Sequence, residues 1–167
     1  MNERPNLASM RLRAFIVDDA EEMRSLLCRL LRRAEIASTE FSDAPAAYAA
    51  IESVMPDFIL TDLSMEPMDG LTFSRKVRQA ADAQVRGTPI ILITGYAERQ
   101  RVVEARDSGI NEILVKPVTA ESLYSRIEDV ILRPRNFVTV PSYNGPCRRR
   151  KPNPLHAGPF RRSTDPR

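Results

Sequence analysis

Four short aliphatic runs, each closed or followed by a polar residue, constrain this chain more than any other feature. Arg13–Val17 (RAFIV), Phe58–Thr61 (FILT), Ile90–Thr94 (IILIT) and Glu112–Val115 (EILV) read as strands. Ala37–Phe41 is a weaker fifth candidate with little apolar content. Between the runs lie amphipathic stretches. Met23, Leu26, Leu27, Leu30 and Leu31 recur at helical spacing, with Arg24, Arg29, Arg32 and Arg33 largely off that stripe. Phe73, Val77, Ala80 and Ala81 repeat the pattern, as do Leu123, Ile127, Val130 and Ile131. Asp69 and Thr119 stand where helix N-caps help, and Pro45 suits a first turn. Each parallel crossover needs a segment to return the chain, and here helices supply it. The expectation is an α/β fold with a parallel sheet covered on both faces.

Beyond Leu132 the periodicity stops, and the charge changes sign with it. Residues 133–167 hold nine Lys/Arg against one acid, a formal +8, and seven of the thirteen prolines. The remaining residues carry a formal −5. Two regions of opposite sign imply two jobs, or one region acting on the other. The composition of 133–167 buries too little apolar surface to offset its ordering entropy, so a disordered tail is expected. An element recurs inside it: Tyr143-Asn-Gly-Pro-Cys-Arg-Arg-Arg, then His156-Ala-Gly-Pro-Phe-Arg-Arg. The expected organisation is a 1–10 extension, a domain over 11–132 and the tail over 133–167. Cys28 and Cys147 match no metal or disulfide spacing, and Cys28 sits in an apolar helical pattern, as a buried structural thiol would. His156 is the sole histidine and lies in the tail. The N-terminus lacks the apolar stretch of a signal sequence, and Ile90–Ile93 is far short of a membrane span, so a cytoplasmic location is expected.

The polar residues that punctuate the strands carry the chemistry. Asp18 and Asp19 follow the first strand, Asp62 ends the third, Thr94 ends the fourth and Lys116 follows the last. In an open parallel sheet these are carboxyl ends of strands, where ligands bind. Three carboxylates gathered there repel, and a hard divalent cation relieves them; an oxygen-only ligand set suits Mg²⁺. A carboxylate facing the open side of that metal is a nucleophile toward phosphorus, with Lys116 offsetting charge on the phosphoryl oxygens. Thr94 is placed to hydrogen-bond the phosphoryl group, and Gly95 leaves space beside it.

Val17-Asp18-Asp19, Asp62 with Met68-Asp69-Gly70 downstream, Thr94-Gly95 and Lys116-Pro117 resemble the signature of the CheY-like response-regulator receiver domain over roughly residues 11–132. The resemblance implies a flavodoxin-like, doubly wound five-stranded sheet in the order 2-1-3-4-5. It implies that Asp62 is the phosphoacceptor, fed by a histidine kinase or histidine phosphotransfer protein. Asp18, Asp19, Asp62 and the backbone carbonyl of Ser64 would hold Mg²⁺, and Lys116 would pair with Asp62 and then with the phosphoryl group. Thr94 would swing toward it and shift the face formed by the fourth helix, fifth strand and fifth helix, through which a downstream protein effector or a homodimer partner is met. Lys116-Pro117 is usually cis in such domains.

Three departures from the pattern stand out. Ile113 stands where an aromatic switch residue is common, with Tyr96 near enough in sequence to substitute. Glu66 replaces a proline four residues after Asp62, and Pro67 follows it. Ser64 and Tyr96 occupy the positions two after Asp62 and Thr94, which the resemblance implies tune autodephosphorylation. The main reading is a phosphorylatable signalling receiver, not a metabolic enzyme. Two others compete: a phosphorylation-independent adaptor that uses the fold as scaffold, and nucleic-acid binding through the basic tail. The tail leaves no room for a helix-turn-helix or zinc module, so a DNA-binding output domain is not expected in it.

Overall fold

The computed structural model describes residues 7–95 and 99–148. Five parallel strands, β1 (Arg13–Val17), β2 (Ala37–Phe41), β3 (Phe58–Asp62), β4 (Ile90–Thr94) and β5 (Glu112–Val115), form one sheet in the order β2-β1-β3-β4-β5. This is the flavodoxin-like order. Six helices accompany them: α1 (Glu21–Arg33), α2 (Ala44–Ile51), α3 (Gly70–Arg78), a short α4 (Ala83–Gly87), α5 (Arg99–Asp107) and α6 (Ala120–Ile131). Because α4 precedes β4, the helix after β4 is the fifth here rather than the fourth.

The strands have short continuous apolar runs because both faces of the sheet are covered. Successive side chains leave opposite faces. Phe15, Val17, Ile59, Ile90 and Leu92 pack with Ala47, Ile51, Phe73, Val77 and Val85 of α2, α3 and α4. Ala14, Ile16, Phe58, Leu60, Ile91 and Ile93 pack with Leu27, Leu30, Leu31, Leu123, Ile127 and Val130 of α1 and α6. β2 lies at an edge, which is why it needs so little apolar content; none of its residues is buried.

The helix signals hold at their ends. Asp69 caps α3 by accepting from the Thr72 amide at 2.7 Å. Thr119 and Ser122 form a reciprocal capping box on α6, and Pro45 sits in the first turn of α2. Cys28 is only half-buried and accepts a hydrogen bond from Ser38 Oγ at 3.6 Å. No described helix is long and apolar enough to cross a membrane.

The tail expectation needs correction over its first part. Phe137–Val140 (β6) and Tyr143–Pro146 (β7) pair as an antiparallel hairpin. It packs where β4 and β5 begin. Arg135 donates to the carbonyls of Asn111 and, at 3.0 Å, Cys147. Asn144 donates to the Arg78 carbonyl, Arg148 pairs with Asp107 at 3.2 Å, and the Arg78 guanidinium lies 5.5 Å from the Phe137 ring centroid. Composition alone missed this because the stabilising contacts are polar and distant in sequence. Tyr143–Arg148 belongs to the first copy of the repeated element; the second copy, with His156, lies outside the described residues.

Candidate functional site

The chain leaves β1 for the edge strand β2 and then returns across β1 to β3, so β1 and β3 flank the point where the winding reverses. Val17 and Thr61 are register partners, which sets Asp18 and Asp62 side by side just past them. One carboxylate oxygen from each of Asp18, Asp19 and Asp62 lies within 4.8 Å of the other two. Asp18 and Asp62 are buried, and Asp19 is exposed.

From the far side comes Lys116, whose Nζ donates to Asp62 Oδ1 at 2.9 Å. The other oxygen, Oδ2, accepts from the Ser64 amide at 3.0 Å. The Asp62 carboxylate is thus held at both oxygens. Buried Thr94 ends the neighbouring strand, and its carbonyl accepts from the Lys116 amide at 2.8 Å. Gly70 closes the site from below. A Cβ at this position would come 2.2 Å from the Asp62 carbonyl oxygen, so the first turn of α3 passes the phosphoacceptor candidate only without a side chain. Lys116-Pro117 is cis, as is Glu66-Pro67.

Asp18 and Asp19 do not cap α1. Ala20 holds the N-cap position, and no side chain caps it. Asp18 Oδ1 instead accepts from the Ala20 amide at 2.8 Å, while its Oδ2 is buried with no hydrogen-bond partner among the described residues. Burial pushes the Asp18 carboxyl above the usual carboxylate range; the Ala20 amide opposes that and the Asp62 charge adds to it. Burial works to lower the Lys116 ammonium, but the hydrogen bond and charge of Asp62, joined by Asp18 and Asp19, outweigh it and raise it.

These groups fit a divalent cation. Carboxylate oxygens within 4.8 Å repel by roughly 3–4 kcal/mol per pair at an effective dielectric near 20, and one ammonium offsets only part of that. An orphaned buried carboxylate oxygen aimed among hard oxygen donors is what Mg²⁺ or a similar ion satisfies.

The family description of the response regulator receiver domain matches residues 14–128. The chain belongs to the response-regulator receiver family. This receiver is 35% identical over 123 residues to the chemotaxis protein CheY of Pseudomonas aeruginosa, covering 73% of this chain and 98% of the relative. The solved chemotaxis protein CheY4 of Vibrio cholerae is similar at 26% identity and a TM-score of 0.69, over 73% of this chain and all of that one. The receiver domain of a sensor histidine kinase from Pseudomonas aeruginosa matches in fold, with a TM-score of 0.65, 24% identity, and 71% and 96% coverage; that structure has a magnesium ion coordinated in its active-site cleft. Receivers are signalling domains of two-component systems rather than metabolic enzymes.

Of the strand-end residues predicted from sequence, Asp18, Asp19, Asp62 and Lys116 meet at this receiver's site, and Thr94 ends the strand beside it. Ile113 is half-buried and packs toward the α2–α3 side of the sheet; Tyr96 lies outside the described residues. Two residues escaped the sequence reading. Arg24 donates to the carbonyls of Asp18 at 2.7 Å and Asp19 at 3.2 Å. Arg101 lines a cavity of about 370 Å³ beside the site, with Asp19, Ser64, Glu66 and Asp69. The only signal for Arg24 was a basic residue close behind an acidic pair. Arg101 had none, because its approach depends on where α5 lies.

Proposed function

We propose that this receiver accepts a phosphoryl group on Asp62 from a histidine kinase or histidine phosphotransfer protein and signals by protein contact, in the cytoplasm. The observation that carries the reading is the Asp62 carboxylate itself: anchored by Lys116 and the Ser64 amide, it is set beside two further carboxylates. Asp18, Asp19, Asp62 and the Ser64 carbonyl would hold Mg²⁺. When bound, the ion supplies positive charge for the equatorial phosphoryl oxygens. The chain's own residues do the rest. An Asp62 oxygen attacks phosphorus as the donor's P–N bond breaks, and the imidazole leaves with its electron pair. Lys116 transfers its hydrogen bond from the carboxylate to the incoming phosphoryl oxygens. Thr94, at the end of the adjacent strand, supplies a hydroxyl for the same group.

Incubation with acetyl phosphate and Mg²⁺ should add one phosphoryl group by intact mass. Asp62→Asn should add none, and Lys116→Ala should be strongly impaired. Equal incorporation by wild type and Asp62→Asn would overturn the assignment. A second outcome separates the adaptor reading: partner affinity that is identical with and without a beryllofluoride phosphate mimic would make the fold a scaffold.

A further inference from the structure

The turn that carries Asp18 and Asp19 has no side-chain helix cap to shape it. A guanidinium holds it instead. Arg24, in the first turn of α1, folds back so that Nη1 donates to two successive carbonyls, Asp18 O at 2.7 Å and Asp19 O at 3.2 Å. Its Nε lies 3.8 Å from Glu40 Oε2 on β2, and only 17% of its side chain is exposed. Three elements thus meet at one planar group: the end of β1, the start of α1 and the edge strand.

The charge matters as much as the geometry. Two adjacent carbonyl dipoles point at Arg24 while the side chains of the same residues carry negative charge toward the cation side. A half-buried cation beneath the turn lowers the cost of gathering that charge. It also fixes the peptide planes from which both carboxylates project. Lysine would keep the charge but cannot span two carbonyls and a carboxylate from one rigid fork.

We propose that Arg24 is a positioning residue for the cation site: it sets the β1–α1 turn so that Asp18 and Asp19 present their carboxylates together. This rests on the reading that Asp18, Asp19 and Asp62 hold a divalent cation. It goes beyond that reading by assigning the control of cation affinity to a residue that touches neither the ion nor the phosphoryl group.

The test is Mg²⁺ binding by calorimetry on the full chain, with the thermal midpoint in chelator as the control for folding. Outer-shell partners typically change metal affinity by about 10- to 100-fold, and Arg24→Ala is expected to weaken Mg²⁺ binding within that range. Saturating Mg²⁺ should restore phosphoryl incorporation, because Asp62 and Lys116 remain in place. Arg24→Lys should fall between wild type and Arg24→Ala, and it carries the test if the alanine variant does not fold. Glu40→Gln, which removes only the distant carboxylate, should weaken binding less than either. Wild-type Mg²⁺ affinity in folded Arg24→Ala or Arg24→Lys would overturn the assignment while leaving the cation site intact. A wild-type protein that binds no Mg²⁺ would overturn both.

Discussion

Asp18 is 1% exposed, carries one oxygen without a hydrogen bond, and faces two other carboxylates. Burial, reinforced by the Asp62 charge, raises its pKa despite the Ala20 amide. The folded state therefore binds that proton more tightly than the unfolded chain does. The associated stability is fully present below the unfolded value, about 3.9, and is lost as pH rises through the higher folded value. Metal-free protein should accordingly lose thermal stability from about pH 4 upward through that range, with Mg²⁺ reversing the loss near neutrality. Asp18→Asn should flatten this part of the curve and stabilise the chelated protein at neutral pH by on the order of 1 kcal/mol. Thermal midpoints against pH, with and without chelator, measure both effects; superimposable curves for the two proteins would contradict the argument.

The segment that leads into the β6–β7 hairpin shows how residues of similar chemistry acquire different weights. Arg133 is 64% exposed and pairs with Glu128 and Asp129 at the surface. Arg135, two residues on, is 17% exposed, donates to two carbonyls and lies 3.7 Å from Glu112, itself only 5% exposed. Exposed pairs contribute about 0–1 kcal/mol, whereas hydrogen bonds to charged groups contribute about 1.5–3 kcal/mol. Arg135→Ala should therefore destabilise the protein by roughly 1–3 kcal/mol and Arg133→Ala by less than about 1 kcal/mol, read from urea midpoints. Comparable effects of the two would show that the hairpin does not dock through Arg135. Beneath the hairpin, Arg78 is 2% exposed and donates to the carbonyls of Gly109, Arg86 and Thr88 and to Asn111 Oδ1. Burial lowers its pKa to about 10, so it remains charged at neutral pH. Asn111 also accepts from the Ile90 amide at 2.9 Å, which ties this network to the start of β4.

Two chemistries occupy opposite ends of one sheet. The carboxylates and Lys116 lie where strands end; the hairpin covers where β4 and β5 begin. β5 separates Glu112 from Lys116, and four residues at about 3.3 Å each put the ends roughly 13 Å apart. The two apolar layers that support the sheet draw on residues from Leu7 to Val130 and none from the hairpin. Deleting residues 133–167 is therefore expected to lower the denaturation midpoint, by uncovering Arg78 and Glu112, while leaving Mg²⁺-dependent phosphoryl uptake on Asp62 near wild type. A folded truncated protein unable to take up the phosphoryl group would mean that the two ends are coupled. The charge asymmetry has a structural expression too, since Arg135 and Arg148 of the positive segment meet Glu112 and Asp107 of the negative one.

Local periodicity and covalent spacing were enough to place the five strands, the Asp69 and Thr119 caps and the strand-end polar residues. Strands buried on both faces leave runs of aliphatic residues, and a polar residue at the end of such a run is conspicuous in one dimension. The order of strands, and the roles attached to Asp62, Lys116 and Thr94, came from resemblance to a family rather than from periodicity. Arg24, Arg101 and the docked hairpin were not legible. Their partners are carbonyls, a cavity wall and a buried carboxylate that approach only after the chain has folded. Arg24 reads as one more arginine beside an apolar stripe until β1 and α1 are packed together. Arg135–Arg148 reads as part of a proline-rich basic tail until Asn111, Glu112, Arg78 and Asp107 supply its distant polar contacts.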